Sequence, residues 1–474
     1  MVNWKSYLKK NQNRFTDELI EFLSIPTISS NHKYDKDFYK AACWLVKRLK
    51  KAGISNAKVI DGYGQPYVYG EYFTSLDAKT LLIYGHYDVQ PVDENKWISH
   101  PFKPEIRDNK IFARGSSDDK GNLLIPVFAA EAIIKTYENL NLNLKFLFDG
   151  EEEIGSPNIT KFIGDYKETL SCDVAYCADG AQLFEDAPSI VLGTRGICEM
   201  EVTVTGSASD LHSGRYGGAV HNSVEVLSSL ISSMKDENGT IVVDGFYDGI
   251  IEVSDLERGY IEEVPFNILE FMNQAKIKGL ISEPGYSYLE QLWIRPSLDI
   301  VGLWGGFIDK GMKTIIPCES NAKIACRLVP GQNPLDVFRC IEKHLIERCP
   351  DGVEIKIFSD KDHGSAEAYF MPIDHWGNNT LCDVFKYIYK KEPYYIRWGA
   401  TIPICAILYD MLGIHSSILS FGMLDENIHA PNEFFRLDSF IKGQHIYCSL
   451  FETISKLNNK IHKNNFILNS EVEC

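Results

Sequence analysis

The sequence predicts an α/β chain: a larger domain with a mostly parallel sheet flanked by helices, and a smaller ferredoxin-like α+β domain inserted into it. Three observations predict this. Short apolar runs alternate with helical segments between residues 14 and 177. Beyond Gly196 the order becomes β-α-β-β-α-β. At 474 residues, the chain is too long for one ordinary core.

Helices are expected over 14–23 and 37–52, the second with Phe38, Ala41, Ala42, Leu45 and Leu49 on one face and Gly53 as its stop. Strands follow at 80–84 (TLLIY), 143–148 (NLKFLF) and 173–177 (DVAYC), with a helix at 122–138 between the first two. Residues 197–205 alternate like a half-buried strand, and 221–235 reads as a helix. An irregular region, 236–297, precedes strands at 298–303 and 321–328, a helix at 333–348 and a strand at 352–358. A helix at 378–390, an apolar run at 402–408 and a last helix at 434–457 are expected to rejoin the first sheet, with a polar, loose tail from 459. The domains are therefore 1–195 and 373–474 for the larger, and 196–372 for the smaller.

A hydrophobic share of 45% with 12% aromatics is ordinary globular composition. The net charge of −17 opposes nucleic acid and anionic membranes as partners. No secretory-type apolar run opens the chain, and nowhere do eighteen apolar residues follow one another, so no membrane span is expected. Twelve cysteines without a CxxC pair, among them Cys43, Cys177 and Cys326, read as buried thiols of a cytoplasmic protein rather than zinc ligands.

Five clusters can carry chemistry, each following a strand-like run, where open α/β sheets place ligands. In LLIYGHYDVQP, Asp88 can fix the tautomer of His86, as carboxylates do for metal-ligating histidines, although a turn histidine would look the same. In ARGSSDDKG, Asp118 and Asp119 precede a helix; they can cap it, or one can bridge two cations. The run Glu151–Glu153 can be solvated surface, or a pair in which one residue binds metal and its neighbour takes a proton from water. Asp179 ends CADG, and His429 sits in the loop DENIHAPNE. Together, two histidines and these carboxylates suit a pair of borderline cations such as Zn²⁺.

The order GHYDVQP, ARGSSDDKG, GEEEIGS, CADG, GSASDLHSGRYGG, CRLVPGQ and WGATIPI resembles the carnosinase-type di-zinc exopeptidases, relatives of carboxypeptidase G, aminoacylase and succinyl-diaminopimelate desuccinylase. The resemblance covers nearly the whole chain. It implies two Zn²⁺ per subunit, with Mn²⁺ or Co²⁺ as alternatives. His86, Asp118 and Asp179 would hold one and Asp118, Glu153 and His429 the other, Asp118 rather than Asp119 bridging. Asp88 would orient His86, and Glu152 would be the general base. Glu151 is left without a role, and is expected to point to solvent or cap the turn.

The same resemblance makes the inserted domain a lid and the interface of a homodimer, with His212 reaching into the partner's site to stabilise an oxyanion. Arg327 would bind the substrate's C-terminal carboxylate, in a pocket lined by Thr314, Gly399, Ala400 and Thr401. Trp398 to Thr401 replaces the Glu-Gly-Gly-Ser common in such enzymes, so only the backbone donors of that loop are expected to carry over. The implied activity is hydrolysis of dipeptides or short peptides. N-acyl-amino-acid deacylation and a non-catalytic binding protein are the alternatives, the latter opposed by the presence of every implied ligand and the base.

Overall fold

The computed structural model describes residues 3–359 and 365–470. Two compact units form, one of Met1–Leu192, Met371–Tyr395 and Ile407–Cys474, the other of Gly193–Phe370 with Ile396–Ala406. The stretch Ile396–Ala406, expected with the larger domain, thus groups with the smaller unit.

The sheet of the larger unit runs in the order Asn56–Ile60, Tyr67–Tyr72, Asn143–Asp149, Thr80–His86, Val174–Cys177, Ser416–Ile418, Ser189–Thr194. The four central strands, from Asn143–Asp149 to Ser416–Ile418, are parallel, and the flanking ones antiparallel. Parallel neighbours require a crossover. Between Thr80–His86 and Asn143–Asp149 it is the helix Lys120–Thr136, buried at every residue from Lys120 to Ile133. Such a helix is apolar on all sides because it is enclosed, here by Trp4–Leu23, Asp35–Ala52 and Leu437–Ser470. The helix Asp35–Ala52 carries Asp35 and Asp37 in its first turn and Lys50 and Lys51 in its last, both favourable to its dipole. Gly53 ends it at φ 101°, a conformation that glycine adopts without penalty.

Several elements differ from expectation. The first helix begins at Trp4, and the last runs on to Ser470 in place of a loose tail; residues 471–474 lie outside those described. The apolar run at 402–408 is part of a helix, Pro403–Leu412. Asn56–Ile60, Tyr67–Tyr72 and Ser416–Ile418 are additional strands, too short for their periodicity to stand out. Cys43 is exposed on its helix, whereas Cys177 and Cys326 are buried; no disulfide forms among the described residues. Also among the described residues, no helix is long and apolar enough to cross a membrane.

A buried ion cluster joins three of the helices. Glu131, on the enclosed helix, accepts from Tyr7 Oη at 2.7 Å and pairs with Arg14 and Arg48. Arg48 Nε also lies 2.8 Å from Glu18. Removing one partner from a buried pair strands the other charge. Glu131→Gln is therefore expected to cost about 3–5 kcal/mol in urea unfolding.

In the smaller unit the sheet order is Ser297–Gly305, Glu319–Leu328, Gly196–Thr205, Glu354–Phe358, antiparallel throughout. Numbered along the chain this is 2-3-1-4, the ferredoxin-like order. Val202, Leu227, Ile324, Val337 and Ile341 meet in its core. The stretch 236–297, read as irregular, contains the helices Asp255–Glu263, Ile268–Ala275 and Tyr288–Trp293. Two of them open on capping boxes, Ser254/Glu257 and Ser287/Glu290, visible in the sequence as SDLE and SYLE.

Candidate metal centre

The parallel strands deliver acidic and imidazole groups to one edge of the sheet. His86 is the last residue of Thr80–His86, Asn143–Asp149 runs into Glu151–Glu153, and Asp179 follows Val174–Cys177. This is the carboxyl edge, where adjacent loops leave a crevice. Asp118 stands on the turn before the enclosed helix, and its peptide bond to Asp119 is cis. His429 comes from the loop before Phe434–Arg436.

Asp118 lies between the two histidines. Its Oδ1 is 2.9 Å from His86 Nε2, and its Oδ2 is 2.9 Å from His429 Nε2. His429 Nε2 also lies 3.1 Å from Glu153 Oε2, and His86 Nε2 lies 4.0 Å from Glu152 Oε2. Ligand atoms of His86, Glu152 and Asp179 fall within 4.8 Å of one another, as do those of Asp118, Glu153 and His429. Glu152, expected as the base, is thus grouped geometrically with His86 and Asp179.

Asp88 organises two parts of the site. Its Oδ1 is 3.3 Å from His86 Nδ1 and accepts from the Glu152 N–H at 3.1 Å; its Oδ2 accepts from the Glu153 N–H at 3.0 Å. The carboxylate that orients the His86 ring therefore also holds the glutamate turn. Asp119, buried, accepts from the His86 backbone N–H at 3.1 Å.

Crowding dominates the electrostatics. Burial, reinforced by Asp179, Glu153 and Asp118 against the pull of His86, raises Glu152 well above the ordinary carboxylate range. Burial with Asp118 nearby raises Glu153 to about 7, and burial raises Asp179 to about 6. For Asp118, burial is outweighed by hydrogen bonds from His429 and His86, which hold it below its usual value. Hydrogen bonds to Asp118 and Glu153 raise His429 to about 10. At His86, burial opposes protonation, but Asp118 and Asp88 win and hold the imidazolium well above its usual range. So many acids around two imidazoles form a cation-demanding set. Glu153 Oε1 is buried without a hydrogen-bond partner, which fits a ligand oxygen. Oxygen and nitrogen donors of this kind suit zinc, manganese or cobalt.

Of the two expectations for Glu151, facing solvent fails. It does stand at the N-terminal cap position of the turn Glu152–Ile154, its carbonyl accepting from the Ile154 N–H at 3.2 Å, though its side chain makes no capping bond. It is buried, not solvent-facing, and its carboxylate accepts from the Gln65 N–H at 3.0 Å and Asn158 Nδ2 at 3.1 Å. Gly64, at φ 79°, makes room for it: a Cβ there would stand 2.2 Å from Glu151 Oε1. Glu151 is a structural link between loops.

The other expected residues lie in the smaller unit. Arg327 Nη1 donates to Thr401 Oγ1 at 2.7 Å. The 398–401 loop turns carbonyls toward Arg195: Nε donates to Gly399 O at 2.9 Å, and the Arg195 N–H to Ala400 O at 3.1 Å. His212 is exposed, and its Nδ1 accepts from the Gly214 N–H at 3.0 Å. Thr314 belongs by hydrogen bonding with His212 rather than with Arg327, its carbonyl accepting from the Ser213 N–H at 3.1 Å.

Sequence reasoning passed over Gln90 and Arg195. Gln90 Nε2 donates to Glu153 Oε2 at 2.9 Å. It stands inside GHYDVQP, but a glutamine there carries no signal of its own. Arg195 lies beside Arg327, and burial followed by that neighbour lowers it to about 10.

The chain is 28% identical over 464 residues to the Cys-Gly metallodipeptidase dug1 of Schizosaccharomyces pombe, covering 95% of this chain and 97% of that protein. It is 26% identical over 475 residues to the Beta-Ala-His dipeptidase of Homo sapiens, covering 95% and 92%. Among solved structures, the M20 family metallo-carboxypeptidase Sso-CP2 from Sulfolobus solfataricus superposes with a TM-score of 0.83 at 32% identity, over 93% of this chain and 99% of that one. Residues 82–453 match the family pattern of peptidase family M20/M25/M40, and with the edge-of-sheet His/Asp/Glu cluster they establish that this chain belongs to it.

Proposed function

We propose that the protein is a dimetal dipeptidase that hydrolyses the amide bond of dipeptides or short peptides, with Glu152 as general base. The observation that carries this reading is Asp118, with one oxygen 2.9 Å from each histidine, a carboxylate standing between the histidines of the two ligand groups. Similarity along nearly the full chain to proteins named as Cys-Gly and Beta-Ala-His dipeptidases supports the substrate class.

His86, Asp118 and Asp179 would hold one cation, and Asp118, Glu153 and His429 the other, zinc being the first choice and manganese or cobalt acceptable. Two such cations, when bound, polarise a carbonyl and bring the pKa of a water toward about 7. Glu152 takes the proton of the attacking water as the O–C bond forms. It returns that proton to the amide nitrogen as the C–N bond breaks. Asp88 keeps the Nδ1–H of His86 engaged, leaving Nε2 as the ligand atom. Arg327, with one N–H on Thr401, keeps further donors for a substrate carboxylate. Gly399 and Ala400 would complete that pocket, whereas Thr314, hydrogen-bonded to Ser213, would act beside His212.

His212 would act on the oxyanion in the partner's site of a homodimer. Because its Nδ1 accepts a hydrogen bond, the neutral ring carries its proton on Nε2, the donor this role requires. The dimer reading is supported by the edge strand Ser297–Gly305, which exposes Val301, Leu303 and Trp304 on an unpaired sheet margin. A cytoplasmic location fits the unbridged thiols.

A panel of dipeptides against N-acetyl amino acids, assayed on zinc-loaded protein, tests the activity. Turnover of acylated substrates alone would replace the peptidase reading with a deacylase. Metal binding should also release protons, because ligand histidines must be neutral. His429, held to about 10, is protonated at pH 8 in metal-free protein, and His86 is raised in the same direction. Zinc binding at pH 8 is therefore expected to release protons, with His429 as one source and His86 and Glu152, both raised, as the others. The number should rise as pH falls through 7, where Glu153 also becomes protonated. Calorimetry in buffers of different ionisation enthalpy counts them.

A further inference from the structure

Four residues beyond His429, Glu433 is completely buried. A buried carboxylate persists only when its oxygens are satisfied. Here both are, twice over. Oε2 accepts from Arg114 Nη1 at 2.6 Å and from the Gly115 N–H at 2.9 Å. Oε1 accepts from the Ser117 N–H at 2.9 Å and from the Asp118 N–H at 3.1 Å. The backbone carbonyl of Glu433 also accepts from the Ala113 N–H at 3.2 Å. An ion pair with Arg114 alone would need one oxygen; the other is given wholly to the amides of the turn that presents Asp118.

The other end of the His429 loop is tied to the same turn. Glu426, also buried, accepts from Ser117 Oγ at 2.7 Å and from Arg436 Nη1 at 3.0 Å. Between these anchors the loop takes left-handed backbone at Asn427, His429 and Asn432, with φ of 55°, 60° and 63°. Residues rarely hold that conformation unless their surroundings impose it. The anchors are that constraint.

We infer that Glu433 is a positioning residue for the metal centre: by cradling the amides of Gly115, Ser117 and Asp118 from the loop of His429, it sets Asp118 against His429. This rests on the reading of Asp118 and His429 as metal ligands. Outer partners of ligand residues commonly change metal affinity by about 10–100-fold.

The test is zinc affinity, measured on metal-stripped protein by competition with a chromophoric chelator. In Glu433→Gln, one oxygen becomes an NH₂ group facing N–H donors, so zinc should bind about 10–100-fold more weakly in protein that remains folded. Glu433→Asp keeps the charge for Arg114 but shortens the reach to the amides, and should also weaken binding. The control is Glu131→Gln, whose lost ion pairs lower stability far from the site; its zinc affinity should stay at the wild-type value. Wild-type affinity in folded Glu433→Gln or Glu433→Asp would overturn the inference. Failure of both variants to fold would overturn it as well, making Glu433 a folding residue. If the wild-type protein bound neither zinc, manganese nor cobalt, the metal reading itself would fall, an outcome distinct from the other two.

Discussion

Replacing Glu152 with alanine is expected to lower kcat for dipeptide hydrolysis about 10²–10⁴-fold, the usual range for loss of a general base. Two zinc ions per chain should remain bound. Metal retention is the discriminating measurement, because Glu152 is grouped with His86 and Asp179 closely enough to be a ligand itself. Burial and three neighbouring acids raise it well above the ordinary carboxylate range in metal-free protein. Nearby cations would favour the charged form and convert it into a base. A Glu152→Ala protein that lost one zinc would reassign this residue to the ligands. One that kept full turnover would remove it from the mechanism.

Asp118→Asn should be more severe in metal content. Each of its oxygens faces a different histidine, so a single substitution reaches both ligand groups. The amide keeps the shape but carries no charge, and one side presents an NH₂ group to an imidazole. Zinc affinity is expected to fall by more than about 100-fold, the upper figure for an outer-shell partner. Turnover should fall to background, and added zinc should restore little of it. Elemental analysis after gel filtration, together with the dipeptide assay, reads both effects. Retention of two tightly bound ions would show that Asp118 does not bridge.

The glutamate run shows how far local sequence reaches. Glu152 and Glu153 stand out because an acidic turn after an apolar strand belongs to the edge where sheets bind ligands. Glu151 looked like the residue facing solvent, yet it is buried. What buries it is the loop at Gly64 and Gln65, and Asn158 beyond the turn. No periodicity within GEEEIGS reports those neighbours. Cys43 is the converse case, an apolar residue in an amphipathic helix that faces outward.

The α/β class, the inserted ferredoxin-like order and the strand-end placement of His86, Glu152, Glu153 and Asp179 were legible in the sequence. Each depends on periodicity and on short-range order along the chain, which residue types report directly. Asp118 against His429, the double duty of Asp88, the burial of Glu151 and the Glu433 cradle were settled only by tertiary structure. They depend on which oxygen meets which donor across segments up to hundreds of residues apart, as between Asp118 and Glu433. Hydrogen-bond geometry acts over about 3 Å in space, whatever the distance along the chain.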